Sequence, residues 1–295
     1  MATSENLGPP GRPLRDRHHA ALPAPSVPAI LPAMTTEREL LDGCVEAARR
    51  GGAVLAERFG EKRVIEHKGR VDLVTDADRA SEAAVLGFLG QRFPAAAILA
   101  EESGHHGGAD APLRFYVDPL DGTTNYAHGI PHFAVTVAAA DRQGLVAGAV
   151  LDPVRGELFT ASRGGGAFAG DSRIQVSPCA DLEQALLVTG FPYDVHNGLD
   201  FTLRAFGAFT AGAQSVRRLG SAAIDLAYTA AGRFEGFWEE RLKPWDVAAG
   251  ILLVREAGGV VTDLAGGDTM LSSGDIVAAG PALAGKMLAV IRRER

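Results

Sequence analysis

The sequence of 295 residues has little cysteine, no excess of positive charge and no long apolar run. Two cysteines, Cys44 and Cys179, are too few for a disulfide framework and fit a reducing compartment, so we expect a cytoplasmic protein. A formal net charge of −7 disfavours a general nucleic-acid binder, and we expect no nucleic-acid partner. Because no run approaches the roughly 20 apolar residues that cross a bilayer, we expect no membrane association.

The composition is that of a globular protein, with 46% hydrophobic and 22% charged residues. It excludes disordered, collagen-like and coiled-coil chains, and it supplies a core for two ordinary domains or one large layered domain. The first 34 residues differ, because seven prolines interrupt them. We therefore expect a disordered proline-rich tail over 1–34, followed by an N-terminal half over 35–180 and a C-terminal half over 181–295.

Apolar periodicity predicts a mixed α+β chain. Strand patterns dominate the first half and alternate with helix patterns in the second, which favours sheets and helices in layers. Helical spacing is found over 37–59, 76–93, 199–212, 222–231 and 247–257. Strand patterns are found over 64–67, 73–75, 97–100, 114–117, 133–140, 145–151, 157–162, 173–177, 186–189, 234–239 and 260–262.

The most informative segment is the run DPLDGTTN at residues 118–125. Its Asp-Pro start favours a type I turn, which holds its two ends, Asp118 and Asp121, within about 7 Å and so lets both carboxylates face one cation-sized space. The carbonyl of Leu120 can add a neutral oxygen ligand, and the amides of Gly122 and Thr123 can donate to an anion. Hard oxygen ligands beside such amides point to a Mg²⁺–phosphate site rather than a zinc site.

Other acidic residues end or begin predicted elements. Glu101 and Glu102 follow an apolar strand, Asp78 lies at a strand-to-helix junction, and Asp246 begins a nearly apolar helix. Taken singly, each fits a structural role; Asp246, for example, could be an N-cap.

Taken together and in order, these segments resemble the inositol monophosphatase family. Residues 118–125 are similar to its first signature, and WDVAAG at 245–250 followed by EAGG at 256–259 is similar to its second. The segments LVTxxD at 73–78 and EES at 101–103 match the remaining metal-site segments. The resemblance covers residues 36–290. It implies a layered α-β-α-β-α sandwich of the sugar-phosphatase type, usually a homodimer, and a lithium-sensitive, Mg²⁺-dependent phosphatase of inositol monophosphate.

The resemblance also implies a role for each matching residue. The implied metal ligands are Glu101, Asp118, the Leu120 carbonyl, Asp121 and Asp246, for two or three Mg²⁺ ions. Asp78 and Thr123 would orient and deprotonate the attacking water. Glu101 is the third implied catalytic residue and would help to hold a third, more weakly bound Mg²⁺. The phosphate would lie on Gly122 and Thr123. The alcohol would contact Gly220, Ser221, Ala222 and Glu239, and Lys68 would lie near the entrance. The metal ligands Asp121 and Asp246 are also implied to contact the substrate.

Alternatives remain for the substrate. The same chemistry could act on histidinol phosphate, fructose 1,6-bisphosphate or a 3′-phosphoadenosine nucleotide, and a non-catalytic binding relative is a further option. Arg241 and Lys243 could favour a ligand with a second negative charge or an amine-free polyol. The GxGxxA run at 164–169 precedes a strand, so it predicts a hairpin turn rather than a dinucleotide site. The pair His105–His106 predicts an exposed mobile loop rather than a zinc site.

Overall fold

The computed structural model describes residues 35–60, 65–67, 73–108, 110–192 and 198–295. The α-helices are α1 Glu37–Arg58, α2 Asp76–Arg92, α3 Thr123–Ala127, α4 Asp200–Gly212, α5 Ala222–Ala230, α6 Pro244–Glu256, α7 Met270–Ser273 and α8 Pro281–Glu294. The first strands are β1 Ile65–His67, β2 Leu73–Thr75, β3 Ala97–Ala100, β4 Gly104–His106, β5 Arg114–Asp121, β6 Ala134–Asp141, β7 Gly144–Asp152 and β8 Glu157–Ser162. They are followed by β9 Gly166–Ala169, β10 Ser172–Arg173, β11 Leu186–Thr189, β12 Ser215–Arg217, β13 Gly236–Glu239, β14 Val260–Thr262 and β15 Ile276–Ala279.

Two large sheets form the frame. The first has eight strands in the order β10-β9-β8-β7-β6-β5-β3-β4, and the second has five in the order β12-β11-β13-β15-β14. In the eight-stranded sheet only β3 and β5 are parallel to each other. In the five-stranded sheet β11 runs parallel to both β12 and β13. A separate two-stranded antiparallel sheet pairs β1 with β2.

Helices cover both faces of each large sheet. Along β6 the side chains alternate: Val135 and Val137 pack in the cluster with α1 and α2, whereas Ala134 and Ala138 pack in the cluster with α5 and α6. Helices α5 and α6 lie between the two sheets, and α4 and α8 pack on the far side of the smaller one. The predicted α-β-α-β-α sandwich is confirmed.

The position of α6 explains its composition. Every residue from Asp246 to Val254 is buried, as expected for a helix enclosed by two sheets. At Gly148 of β7 a Cβ atom would lie 3.0 Å from the Cα of Ala249, so the absence of a side chain there lets helix and sheet approach closely. This close packing fixes the start of α6, where Asp246 lies.

Most predicted elements are present, and three predictions need correction. Residues 174–177 form no ladder, because their amides donate singly: Ile174 to Ala167 and Val176 to Ala257. Residues 104–106 are not a loop but strand β4, which pairs with β3. The turn predicted at 118–121 is instead the end of β5. The GxGxxA run contains strand β9, which pairs antiparallel with β8 and β10, as a hairpin requires.

The structure leaves some of the sequence predictions untested. The tail over 1–34 and Lys68 are outside the described residues, and the division near residue 180 stays a prediction. In the described part of the chain, no helix is long and apolar enough to span a membrane.

Candidate active site

Parallel pairing of β3 with β5 brings the first two acidic residues together. Ala100 is in register with Val117, and the Glu101 amide donates to the Val117 carbonyl at 3.1 Å. Parallel strands end at the same edge of a sheet. Glu101 and Asp118, the residues that follow this pair, are therefore neighbours.

A β-bulge places the second carboxylate of β5. Asp118 pairs with Thr136 and Asp121 pairs with Ala134, so three steps along β5 oppose two along β6. The Leu120 amide donates to Oδ1 of Asp118 at 2.9 Å, a local bond that stabilises the bulge. The Asp-Pro motif therefore predicts a bend at the right residues, but the bend is a bulge within strand β5.

Asp78 and Thr123 are in direct contact. The Thr123 hydroxyl lies 2.9 Å from Oδ1 of Asp78 and 3.0 Å from the Leu120 carbonyl oxygen. The other oxygen of Asp78 accepts hydrogen bonds from the Thr75 amide and hydroxyl at 2.8 and 2.6 Å, in the capping box of α2. The start of α2 thus fixes the carboxylate that faces Thr123.

Asp121 links β5 to the start of α5. Its Oδ2 accepts hydrogen bonds from the Ser221 hydroxyl at 2.6 Å and from the Ala223 amide at 2.7 Å. Between these segments Gly122 has φ +98°, and a Cβ atom there would lie 3.2 Å from the Gly220 carbonyl oxygen. Only glycine suits both the conformation and the space.

Asn125 of α3 also contacts the loop that precedes α5. Its Nδ2 donates to the carbonyls of His132 and Leu219, each at 2.8 Å. The turn of α3 is therefore tied to the loop before α5 by a side chain as well as by Asp121.

Asp246 lies in the first turn of α6. Its Oδ2 accepts the Lys243 amide at 2.7 Å, with Pro244 at the first helical position. The N-cap is Lys243 and not Asp246, so the N-cap expectation is wrong by three residues; Asp246 instead closes the turn from inside the helix.

Glu239 ends β13 on the far side of the site. It is buried against Gly190, where a Cβ atom would overlap the carboxylate oxygens. Burial raises the pKa of Glu239 to about 8, an effect that Arg218 opposes and Asp121 reinforces.

Electrostatics show that the acidic residues form one group. Burial is the largest cause that raises the pKa of Asp118 well above its ordinary value of 3.8. The carboxylates of Glu101, Asp121 and Asp246 raise it further. Burial likewise raises the pKa of Asp246 well above the ordinary value and that of Asp121 to about 6, although hydrogen bonds from Ser221 and α5 amides oppose the latter. Such a cluster favours a bound cation.

The donor set suits Mg²⁺ in chemistry and charge. All of its members offer hard oxygen ligands: Glu101, Asp118, the Leu120 carbonyl, Asp121 and Asp246. Within the described ranges, no three His, Cys, Asp or Glu side chains are spaced as ligands of one metal ion. The residues therefore fit Mg²⁺ in ligand type and in charge.

The comparisons with known proteins agree with this arrangement. A model of the inositol monophosphatase family matches residues 36–295. The chain belongs to the inositol monophosphatase family. It is 43% identical over 257 residues to Nus factor SuhB of Salmonella typhimurium (strain LT2), covering 86% of this chain and 96% of that protein.

A second curated relative and a solved structure are also similar to this chain. It is 44% identical over 260 residues to inositol-1-monophosphatase of Mesorhizobium japonicum, covering 86% of this chain and 96% of that protein. The crystal structure of extragenic suppressor protein suhB from Bartonella henselae matches with a TM-score of 0.82 at 42% identity, covering 85% and 98% of the two chains. Membership of the inositol monophosphatase family supports a phosphatase.

One cleft collects much of the predicted site of this family member. Its predicted lining residues are Asp121, Gly122, Gly220, Ser221, Ala222, Glu239 and Asp246. The cleft is also lined by five residues that sequence analysis assigned neither to a motif nor to the site: Gly190, Phe191, Arg218, Asp225 and Leu242. The sequence has a signal for two of them: the Arg217–Arg218 pair for Arg218, and a charge within the otherwise apolar α5 for Asp225.

Arg241 and Lys243 are not among the described residues that line this cleft. The Arg241 guanidinium donates to the Gly198 carbonyl at 3.1 Å, and Lys243 is the exposed N-cap of α6. The cation of the cleft is Arg218, whose guanidinium lies 5.7 Å from the centre of the Phe191 ring.

Proposed function

We propose that the protein is a Mg²⁺-dependent phosphomonoesterase that hydrolyses inositol monophosphate to inositol and phosphate. The observation that carries the proposal is the hydrogen bond from Thr123 to Asp78, beside the group of buried carboxylates around Asp118. A regulatory or binding module would not need a hydroxyl–carboxylate pair next to a cation site. The name of the Mesorhizobium relative supports inositol monophosphate as the substrate.

The proposed chemistry assigns each side chain a task. Bound Mg²⁺ would supply charge for the attacking and leaving oxygens and would lower the pKa of water. Its ligands would be the carboxylates of Glu101, Asp118, Asp121 and Asp246 with the Leu120 carbonyl.

Proton movement would run through Thr123. Because its hydroxyl donates to Asp78, the oxygen of Thr123 can accept a hydrogen bond from water and orient it. As that water oxygen bonds to phosphorus, its proton would pass to Thr123 and the Thr123 proton to Asp78. The phosphorus–oxygen ester bond breaks, and the alcohol oxygen takes a proton from solvent.

The phosphate and the alcohol would occupy different parts of the site. The Gly122 and Thr123 amides at the start of α3 would bind phosphate oxygens. The alcohol would face Gly220, Ser221, Ala222 and Glu239, with one hydroxyl donating to the Glu239 carboxylate.

The test is an assay of the purified full chain against a panel of esters. The panel contains inositol 1-phosphate, histidinol phosphate, fructose 1,6-bisphosphate, 3′-phosphoadenosine 5′-phosphate and phenyl phosphate, each with and without Mg²⁺. We expect the highest kcat/KM on inositol 1-phosphate and no turnover in excess chelator. Full activity in chelator would refute the metal role, and a higher kcat/KM on another ester would replace the substrate.

The family resemblance supports three further proposals. They are a homodimer, inhibition by Li⁺ at roughly millimolar concentration, and a cytoplasmic location. Light scattering, a Li⁺ titration of the assay and fractionation of cells test them separately.

A further inference from the structure

Asp225 is a buried acidic residue for which the proposed chemistry has no use. It lies one helical turn beyond Ser221, and its amide donates to the Ser221 carbonyl at 3.0 Å in α5. The residue is 1% exposed and lines the same cleft as Glu239. Its Oδ1 is buried and has no hydrogen-bond partner among the residues that the structure describes. Buried polar atoms in native proteins are nearly always paired, so such an atom in a ligand cleft calls for a partner from the ligand.

Three donors of the described residues near Asp225 are engaged elsewhere. Ser221 and the Ala223 amide donate to Asp121. The Thr229 hydroxyl donates to the backbone carbonyl of Asp225 at 2.8 Å and not to its carboxylate. Arg218 is exposed beside Phe191, and its positive charge favours the ionised form of Asp225.

The charge of the cleft selects the kind of ligand. Asp225, Glu239 and Asp121 are close enough to repel one another electrostatically, and Arg218 offsets only part of this repulsion. The described lining of the cleft has four acidic residues, the fourth being Asp246, against this one cation. A second phosphate or a carboxylate placed among them would add to this repulsion. A group that donates a hydrogen bond, by contrast, would relieve the unpaired oxygen.

We propose that Asp225 is a substrate-binding residue that accepts a hydrogen bond from a second hydroxyl of the alcohol, beside the hydroxyl that Glu239 binds. This inference rests on the proposed function and deepens it. It makes the protein selective for monoesters of polyols with at least two free hydroxyls. Bisphosphates and phosphorylated nucleotides are then poor substrates.

The experiment compares inositol 1-phosphate with cyclohexyl phosphate, which has the same ring without hydroxyls. Asp225→Ala should lower kcat/KM for inositol 1-phosphate about tenfold or more, the usual loss for a hydrogen bond to a charged or buried group. The same variant should change kcat/KM for cyclohexyl phosphate less than about twofold, because the phosphate and the metal ligands are untouched. Asp225→Asn, which retains the shape and one acceptor oxygen, should retain more activity on inositol 1-phosphate than Asp225→Ala.

Thr229→Val is the matched control, since it alters a buried residue of the same helix that does not line the cleft. It should leave the ratio of the two kcat/KM values unchanged. The melting temperature adds a second readout. Asp225→Ala removes a buried carboxylate oxygen that no described residue pairs, so its melting temperature should equal or exceed that of the wild type, whereas a structural role predicts a decrease.

The outcomes separate this inference from the function on which it rests. Equal losses on both esters, or a lower melting temperature with unchanged selectivity, would overturn the role of Asp225. A loss on phosphoethanolamine but not on inositol 1-phosphate would also overturn it, because the residue would then bind an ammonium group. If the wild type hydrolyses neither ester, the proposed function itself fails.

Discussion

At the scale of single residues, Thr123 offers one hydroxyl proton to two acceptors, the Asp78 carboxylate and the Leu120 carbonyl. Thr123→Ala removes the hydroxyl and should lower kcat by about 10²–10⁴-fold, the usual contribution of a general base. Mg²⁺ affinity, measured by calorimetry, should remain close to that of the wild type. Thr123→Ser retains the hydroxyl and should retain most of the turnover. Lost Mg²⁺ affinity with unchanged turnover per bound ion would contradict the role in water activation.

Gly190 controls the space that the Glu239 carboxylate occupies. A Cβ atom at this position would overlap the carboxylate oxygens, so Gly190→Ala must displace Glu239. We expect kcat/KM for inositol 1-phosphate to fall about tenfold, since one substrate hydrogen bond is lost, with a smaller fall for phenyl phosphate.

Gly207→Ala in α4 is the control for this substitution. A Cβ atom there meets nothing within 4 Å, so the variant should be neutral or slightly more stable. If Gly190→Ala reduced both activities equally, Glu239 would serve the fold or the metal site and not recognition of the alcohol.

The residue scale also shows what sequence could and could not predict. The pair Asp118 and Asp121 follows from residue type and spacing, because Mg²⁺ needs hard oxygen ligands, whereas Glu239 and Asp246 follow from the family resemblance. The importance of Gly190 could not be predicted from the sequence, because it depends on the parallel register that sets Thr189 opposite Trp238, 49 positions later. Asp225 was missed for a similar reason: only the packing of α5 brings it to the cleft.

At the scale of elements, α2 supports the segment that carries Glu101. Glu82 of α2 is 4% exposed, and its Oε2 accepts the Glu102 amide at 2.9 Å. Glu82→Ala should weaken Mg²⁺ binding several-fold, because the backbone beside Glu101 loses an anchor. Glu82→Gln retains an acceptor oxygen and should restore most of the affinity. Calorimetric titration with Mg²⁺ measures both variants, and equal affinities in Glu82→Ala and the wild type would show that the anchor is dispensable.

Helices and long strands were predictable because their apolar periodicity reflects the faces they bury. The bulge in β5 was not, because Asp-Pro favours a free turn in isolation, whereas pairing with β6 through Asp118 and Asp121 keeps the segment in the sheet. Strand β4 was missed because its two histidines look like an exposed loop, although backbone pairing with β3 defines it.

At the scale of the whole molecule, an ion pair joins the eight-stranded sheet to the segment after α5. A hydrogen bond from Arg233, aided by the Tyr228 hydroxyl, holds the pKa of Glu157 below its ordinary value of 4.5. Because this folded-state pKa is depressed, the pair stabilises the fold above about pH 4.5, and that stability is lost as the pH falls through the folded pKa.

Glu157→Gln should therefore lower the free energy of unfolding by about 1 kcal/mol or less at neutral pH. It should also flatten the fall in stability between neutral pH and acid. Arg233→Gln should flatten the same interval. Urea titrations at several pH values measure both, and a curve parallel to the wild type would exclude the pair as a source of acid sensitivity.

The hydrogen bond from Ser221 to Asp121 has a consequence for how the molecule is made. It joins positions 100 residues apart, Asp121 at the end of strand β5 and Ser221 at the N-cap of helix α5. Contacts of such separation form late in folding, because the intervening loop must first be closed. Refolding chains should thus regain helix and sheet before they regain the cleft. Phosphatase activity should return more slowly than circular dichroism, and a nascent chain should stay inactive until residues beyond α5 have left the ribosome.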